Sequence, residues 1–245
     1  MNDKLMSIKN IYHEYDDASG ISIGLKYEKY LYQCQSKYQN IEIIKTNKYG
    51  NVLYLDGCFM LSQKNQDFYH NECLDLTPKT VRKILIIGGG DCAIASMLAR
   101  KESVTEIIVV EIDDAVVNVS KKYFPENFKL TKKQSKKIEL VINDGMIYLK
   151  NNKSKYDAII VDSTDPVGDA KVLFSKKFIR ACNDALKKNG VLIQQSGSPL
   201  KDMETVIKPL VKKYESIGLR DIVISSFPMP LYPTGTWSFL KAKRA

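Results

Sequence analysis

From residue 81 onward the chain repeats one pattern of hydrophobic and polar positions: a short apolar run, a turn, and an amphipathic stretch. Apolar runs of this length predict buried strands, and the amphipathic stretches predict helices. The predicted strands cover 83–87, 106–110, 138–142, 156–161 and 191–195, and the predicted helices cover 91–100, 113–123, 146–150, 172–187 and 202–217. Because strands and helices alternate, we predict a parallel sheet covered by helices. Two last segments, 221–227 and 236–242, are predicted to pair antiparallel at its edge.

Residues 1–78 lack this alternation of strands and helices. Asp56-Gly57 is a strong hairpin signal between two apolar runs, and a helix predicted over 66–76 ends before Pro78. The strand candidates are the segments 21–35, 38–46, 52–55 and 58–62. The pattern therefore predicts two domains: a small antiparallel β domain over 1–78 and an α/β domain over 79–245.

The 245 residues carry a net charge of +9 at pH 7, which raises the question of an acidic partner such as nucleic acid. The lysines are dispersed, however, and the densest run, residues 132–137, contains no aromatic side chain. We interpret the charge as solvated surface and expect no nucleic-acid partner. No apolar run approaches the roughly 20 residues of a membrane span, and no secretory signal pattern begins the sequence, so we expect no membrane association.

The five cysteines are odd in number, scattered and without a Cys-x-x-Cys pair. This number and spacing of cysteines is typical of reduced thiols in a cytoplasmic protein. With only two histidines in the chain, we also expect no metal site.

The candidate functional residues lie where the predicted strands end. The first strand runs into Gly88-Gly89-Gly90 and Asp91, and the next three are followed by Glu111, Asp144 and Asp162. The carboxyl ends of parallel strands share one crevice, where ligands bind. A single acid after a strand is usually a helix cap, but four at one rim indicate a ligand site.

The negative charge at this rim restricts the class of ligand that can bind there. A helix that follows a glycine loop normally receives a phosphate at its N-terminus, yet Asp91 stands there and would repel a pyrophosphate. This argues against NAD and favours an adenosine ligand with a cationic tail, such as a sulfonium nucleoside. In this interpretation Glu111 binds the ribose, Asp144 binds the adenine, and Asp91 and Asp162 lie near the cationic end.

Six motifs resemble the spermidine synthase family of polyamine aminopropyltransferases, and the resemblance covers nearly the whole chain. The motifs are Gly-Gly-Gly-Asp at 88–91, Val-Glu-Ile-Asp at 110–113, Asp-Ser-Thr-Asp-Pro-Val-Gly at 162–168, Tyr-Gln-Asn-Ile-Glu at 38–42, Asp-Phe-Tyr-His at 67–70 and Tyr-Pro-Thr-Gly-Thr-Trp at 232–237. The resemblance implies a class I methyltransferase-like Rossmann domain with a small N-terminal β domain, assembled as a homodimer or homotetramer. It implies decarboxylated S-adenosylmethionine as co-substrate, no permanently bound cofactor, and a diamine such as putrescine as acceptor. The products would be a longer polyamine and methylthioadenosine.

The resemblance also assigns roles to residues. Asp162, hydrogen-bonded with Tyr69, would be the base that deprotonates the acceptor amine, which is mostly protonated near neutral pH. The residues implied for the nucleoside donor are Gln39, Gly88, Gly90, Asp91, Glu111, Ile112, Asp144 and Gly145. The residues implied for the acceptor are Tyr69, His70, Asp162, Asp165 and Tyr232.

The chain also departs from the family pattern near this site. Cys92 stands where the family has glycine, Met60 where it has glutamine, and Gln63, Gln66 and Asn71 where it has acids. A dicationic acceptor favours carboxylates, so neutral replacements would weaken its binding. One interpretation is drift at supporting positions. The other is a changed reaction in which S-adenosylmethionine itself is used, to methylate a small amine or to cleave or transfer the aminocarboxypropyl group.

Two further hypotheses assign the chain to other functional classes. A methyltransferase that acts on nucleic-acid bases would use the basic surface, but its usual Asn/Asp-Pro-Pro-aromatic motif is replaced by Asp162-Ser163-Thr164-Asp165-Pro166. A non-catalytic binding paralogue would not need Asp162 and Tyr69, and both are present.

Overall fold

The computed structural model describes residues 10–17, 19–166 and 168–245. Residues 1–9 of the predicted N-terminal domain and Val167 of the 162–168 motif therefore lie outside the described residues. Within the described ranges the chain forms three sheets and seven α-helices. The fold class is α/β, as the sequence predicted.

The N-terminal part forms two antiparallel sheets. The first is a hairpin of β1 (Ile11–Asp16) and β2 (Ile21–Lys26). The second contains β3 (Lys29–Gln35), β4 (Asn40–Thr46), β5 (Gly50–Leu55) and β6 (Cys58–Ser62), in that order.

The predicted segment 21–35 is in fact divided between the two sheets, and β1 was not predicted at all. The division falls at Tyr27 and Glu28, because the Tyr27 amide donates to Asn10 whereas the next amide donates to Lys45 of β4. Backbone hydrogen bonding thus passes from one partner strand to another at this point, which the alternation of side chains does not reveal.

A seven-stranded sheet forms the centre of the protein. Its strands are β7 (Lys83–Gly88), β8 (Glu106–Glu111), β9 (Ile138–Ile142), β10 (Tyr156–Asp162), β11 (Leu186–Gly197), β12 (Leu219–Pro228) and β13 (Thr236–Arg244). They lie in the order β12-β13-β11-β10-β7-β8-β9, with β7 to β11 parallel and β13 antiparallel to both of its neighbours. The strand order reverses at β7, and a reversal of this kind is where open parallel sheets form their ligand crevice.

The helices connect these strands. They are α1 (Asp67–Leu76), α2 (Ala93–Ala99), α3 (Asp114–Tyr123), α4 (Lys132–Ser135), α5 (Gly145–Lys150), α6 (Lys176–Ala185) and α7 (Lys208–Glu215), with 3-10 turns at Pro125–Phe128 and Gly168–Phe174 and a π turn at Met203–Ile207. In the described part of the chain, no helix is long and apolar enough to cross a membrane.

The helix predicted over 172–187 is shorter at both ends. The Ser175 hydroxyl accepts from the Phe178 amide and caps α6, so the residues before it form the 3-10 turn instead. At the other end Leu186 pairs with Tyr156 of β10 and belongs to β11. Local capping and strand pairing therefore override the amphipathic pattern.

Alternating residues of the central strands enter two different cores. Ile84 and Ile86 of β7 pack in one cluster with Tyr12 and Ile44 of the N-terminal sheets. Leu85 and Ile87 face the opposite cluster, which contains residues of α5, α6 and α7. The N-terminal sheets thus share a core with one face of the central sheet, which brings their loops to the rim where the strands end.

Candidate active site

The glycine loop allows β7 to approach the end of β10. Gly88 and Gly89 have φ angles of +82° and +66°, which favour glycine. A Cβ atom on Gly88 would lie 2.0 Å from the backbone oxygen of Asp162, and the Gly89 amide donates to that oxygen at 2.9 Å. A Cβ atom on Gly90 would lie 2.9 Å from the Glu111 carboxylate. The glycines therefore create space for Asp162 and Glu111; direct ligand contact by Gly88 and Gly90 stays a prediction.

Asp162 and Tyr69 are brought together, as the family resemblance implied. The Tyr69 hydroxyl, on α1, donates to Asp162 Oδ1 at 2.7 Å, and its ring is buried against Phe227 and Phe239. Burial raises the pKa of Asp162 to about 7; the negative charge of Asp91 raises it as well, whereas the Tyr69 hydrogen bond lowers it. The side chain thus has the affinity for protons that a base working near neutral pH needs.

Asp91 lies at the start of α2, where its Oδ1 accepts from the Ala93 amide at 2.7 Å. Its neighbour Cys92 is buried and adopts a left-handed conformation with φ 59°, which favours glycine. Burial raises the pKa of the Cys92 thiol to about 12, so the group is neutral at physiological pH. Asp91 therefore accepts a hydrogen bond from the first amide of α2 and also carries a charge that acts on Asp162.

Glu111 and Gln39 both form a hydrogen bond with Asp113. Glu111 is buried at the end of β8 and accepts from the Asp113 amide at 3.0 Å; burial raises its pKa to about 7, against the opposing effect of backbone hydrogen bonds. Gln39, in the turn between β3 and β4, donates to Asp113 Oδ2 at 2.9 Å. Asp113 also caps α3 through the Ala115 amide. It was not among the predicted site residues, although the Val-Glu-Ile-Asp motif contains it.

Asp144 caps α5, since its Oδ1 accepts from the Met146 and Ile147 amides at 2.7 and 3.0 Å. Gly145 is needed for space, because a Cβ atom there would lie 2.6 Å from Ile87 Cγ2. The adenine roles expected for both residues stay predictions.

Three isoleucine side chains lie at or shortly after these strand ends and are exposed to solvent. Ile112, Ile142 and Ile147 are 36%, 49% and 53% exposed, and Ile142 is paired in register with Glu111. Exposed apolar side chains beside polar groups are typical of a ligand site. Only Ile112 was predicted; the other two occupy a strand end and the first turn of a helix, positions that carry no motif.

Asp165 and Tyr232 lie on the side of the rim that faces the N-terminal hairpin. Gln195 donates to the backbone oxygens of Ser163 and Thr164 at 3.1 and 3.0 Å, which holds the loop that presents Asp165. Burial raises the pKa of Asp165 to about 6. The Tyr232 ring packs edge-on against Trp237, at 4.5 Å between ring centroids.

Glu14 is a further carboxylate on this side that the sequence interpretation missed. It is buried, accepts from the Phe59 amide at 3.0 Å, and has a pKa raised to about 7 by burial, with Asp165 as an added negative neighbour. The Phe59 ring in turn contacts the Tyr232 ring, at 5.6 Å between centroids. No motif marks Glu14, because its strand was not recognised.

His70 lies next to Tyr69 on α1, with its ring edge-on to the Tyr69 ring at 5.8 Å between centroids. It is buried, and with residues of α2 and of the Pro125–Phe128 turn it lines a cavity of about 250 Å³. Burial lowers the pKa of His70. Its predicted acceptor role stays a prediction.

Two of the neutral replacements, Gln63 and Met60, occupy structural positions. Gln63 accepts from the Asn51 amide at 2.8 Å and donates to the Tyr123 backbone oxygen at 3.4 Å. Met60 packs against the apolar cluster between β4, β5 and α3, and Asn71 is exposed on α1. Glu14 supplies a carboxylate that was not foreseen, so the side of the rim that bears Asp165 and Tyr232 is more acidic than the motifs alone indicated.

A parallel sheet whose glycine loop and carboxylates meet at the carboxyl ends of its strands defines a Rossmann-like α/β fold. Comparison with known proteins then specifies the family. The family model described as "Spermine/spermidine synthase domain" matches residues 51–245, and the one described as "Spermidine synthase tetramerisation domain" matches residues 11–63. The chain belongs to the spermine/spermidine synthase family, which confirms the resemblance seen in its motifs.

Individual relatives are similar to this chain over most of their own length. A polyamine aminopropyltransferase of Halorhodospira halophila is 34% identical over 226 residues, which cover 91% of this chain and 81% of the relative. One of Stenotrophomonas maltophilia is 36% identical over 239 residues, which cover 96% and 83%. A spermidine synthase solved with the transition-state analogue AdoDATO matches with a TM-score of 0.84 at 30% identity, over 97% of this chain and 81% of that one.

Proposed function

We propose that this chain transfers the aminopropyl group of decarboxylated S-adenosylmethionine to a small diamine such as putrescine and releases methylthioadenosine. The relatives named polyamine aminopropyltransferases and the spermidine synthase bound to AdoDATO support this reaction. The observation that carries it in this chain is the Asp162–Tyr69 pair, 2.7 Å apart, at a rim that also bears Asp91 and Glu111.

The acceptor must first lose a proton. Asp162, whose pKa burial raises to about 7, takes a proton from the ammonium group of the diamine, and Tyr69 holds the carboxylate in place. The neutral amine nitrogen then attacks the methylene carbon next to the sulfonium. The new C–N bond forms as the C–S bond breaks, its electron pair stays on sulfur, and the leaving group is a neutral thioether. Alignment of the amine, the carbon and the sulfur supplies much of the remaining catalysis.

The carboxylates favour the decarboxylated donor over S-adenosylmethionine itself. The negative charge of Asp91 already raises the pKa of the buried Asp162, so a third carboxylate on the donor tail would be repelled. A cationic aminopropyl tail is instead attracted to both. In this proposal Gln39 and Asp91 position the tail, Glu111 binds the ribose, and Asp144 with Gly145 and Ile112 holds the adenine.

On the acceptor side, Asp162 binds the reacting nitrogen and Asp165 and Glu14 attract the distal ammonium. Tyr232 and Tyr69 provide the walls between them. Glu14 belongs to the N-terminal hairpin, so this part of the chain completes the acceptor site in addition to any role in assembly.

We further propose two domains, 1–78 and 79–245, and a homodimer or homotetramer. Separate N-terminal sheets support the division, and the match of residues 11–63 to a tetramerisation domain supports an oligomer. Sedimentation at several protein concentrations would distinguish the two assemblies. The cytoplasmic location expected from the cysteine pattern stays a prediction that cell fractionation would test.

The decisive experiment is a product assay by mass spectrometry. The purified protein receives decarboxylated S-adenosylmethionine with a panel of diamines and, separately, S-adenosylmethionine with and without amines. Methylthioadenosine and an aminopropylated amine from the decarboxylated donor alone are expected. Nucleoside products from S-adenosylmethionine alone would refute the proposed donor. Asp162→Asn should abolish turnover and still bind methylthioadenosine, and unchanged turnover in this variant would reject Asp162 as the base.

A further inference from the structure

Lys201 forms the most buried ion pair among the described residues. Its Nζ lies 2.9 Å from Asp16 Oδ2, and the two side chains are only 18% and 11% exposed. In each of the other ion pairs both side chains are at least 24% exposed. Taking a lysine ammonium out of water has a considerable desolvation cost, so its place beside the site calls for an explanation.

A chain of contacts joins this ion pair to the acceptor side of the site. The Tyr232 ring contacts the Phe59 ring, and the Phe59 amide donates to Glu14. Glu14 and Asp16 are two residues apart on β1, so their side chains project from the same face of the strand, about 7 Å apart along it. The Lys201 ammonium therefore binds the carboxylate that neighbours Glu14 on this face of β1.

The electrostatics agree with this placement. Burial raises the pKa of Glu14 and of Asp165, and the positive charge of Lys201 lowers both. Asp202, next to the lysine, accepts from the Ser198 amide at 2.8 Å and adds another carboxylate. Lys201 is thus a fixed cation among carboxylates that would otherwise attract a cationic ligand.

We propose that the Lys201 ammonium occupies the position that the third ammonium of a triamine would need, and so restricts the acceptor to molecules with two amino groups. This inference rests on the proposed function, since it concerns the acceptor of that reaction. An extra aminopropyl unit adds four bonds, or about 5 Å, to a diamine, which carries its terminal ammonium past Glu14 toward Asp16. A lysine ammonium and an alkylammonium have the same charge and the same donors, so they compete for one carboxylate and repel each other.

The alternative is that the ion pair only holds the β1–β2 hairpin against the connection that follows β11. Two variants separate these roles. Lys201→Met removes the ammonium and keeps a long unbranched side chain, whereas Asp16→Asn breaks the ion pair but leaves the ammonium in place. A purely structural role predicts the same behaviour from both variants.

The measurement is kcat/KM for a diamine and for a triamine with decarboxylated S-adenosylmethionine, in the wild type, both single variants and the double variant. The wild type should strongly prefer the diamine. Lys201→Met should raise the triamine-to-diamine ratio at least tenfold, whereas Asp16→Asn should not. The double variant should lose the gain, because the third ammonium no longer finds the Asp16 carboxylate.

Several outcomes would overturn the proposal: equal use of triamine and diamine by the wild type, an unchanged ratio in Lys201→Met, or the same gain in Asp16→Asn. Thermal unfolding of each variant checks that it folds, and Lys201→Gln replaces Lys201→Met if the latter does not. A wild type without turnover on any diamine would reject the proposed function itself. Diamine turnover without a changed ratio would reject this inference alone.

Discussion

Replacing Tyr69 with phenylalanine should shift the pH dependence of the reaction. The substitution keeps the ring against Phe227 and Phe239 and removes only the hydroxyl that donates to Asp162 Oδ1 at 2.7 Å. That hydrogen bond lowers the pKa of Asp162 and opposes the effect of burial, which brings it to about 7. Without the hydroxyl the carboxylate is less stabilised, so its pKa should rise further.

The size of the shift follows from the kind of bond. A hydrogen bond to a charged group contributes about 1.5–3 kcal/mol, and one pKa unit corresponds to about 1.4 kcal/mol. Asp162 should therefore titrate about 1 to 2 units higher in Tyr69→Phe. Its ionised fraction at pH 7 would fall from about one half to between about 10% and 1%. Because the base works above its pKa, the loss should be largest at low pH and recover as the pH rises.

The assay is kcat/KM between pH 6 and 10 for the wild type and Tyr69→Phe. The acceptor amine titrates in both enzymes, so the ratio of the two values at each pH isolates the change in Asp162. Tyr214→Phe is a matched control, because it removes another buried hydroxyl, which donates to Gln194 at 2.9 Å in the opposite core. A ratio that is constant across the pH range, or a shift that Tyr214→Phe reproduces, would refute the reasoning.

Three other substitutions test the rest of the site. Gly88→Ala should lower the free energy of unfolding by about 3 kcal/mol or more, because its Cβ atom would collide with the backbone of Asp162. Gly57→Ala is the control, since Gly57 has a similar φ and open space around it, and it should lower the free energy of unfolding by only about 1 kcal/mol. Chemical denaturation measures both values. Glu111→Gln should weaken methylthioadenosine binding about tenfold in calorimetry at pH 8 and less at pH 6, since the pKa of about 7 leaves the wild-type side chain largely neutral there. Glu14→Gln should raise KM for the diamine with little change in kcat, and an unchanged KM would contradict its place in the acceptor site.

The sequence by itself determined the architecture of the central sheet and the composition of its rim. Apolar runs of strand length, glycines and helix signals are local features, and the carboxyl ends of parallel strands meet at one edge wherever such runs alternate with helices. Asp91, Glu111 and Asp162 could therefore be placed together from the sequence alone. The pair formed by Tyr69 and Asp162 came from family motifs and not from periodicity, since the two residues are 93 positions apart.

The tertiary structure alone decided how the N-terminal hairpin completes the site. β1 has no signal strong enough to be recognised, and the segment that follows it divides between two sheets. Glu14 reaches the rim because Tyr12 and Leu25 of the hairpin are buried in the same apolar core as the central strands. The ion pair of Asp16 and Lys201 depends on the same packing. A contact between distant elements is determined by how their apolar faces fit together, and no local pattern of residues encodes that fit.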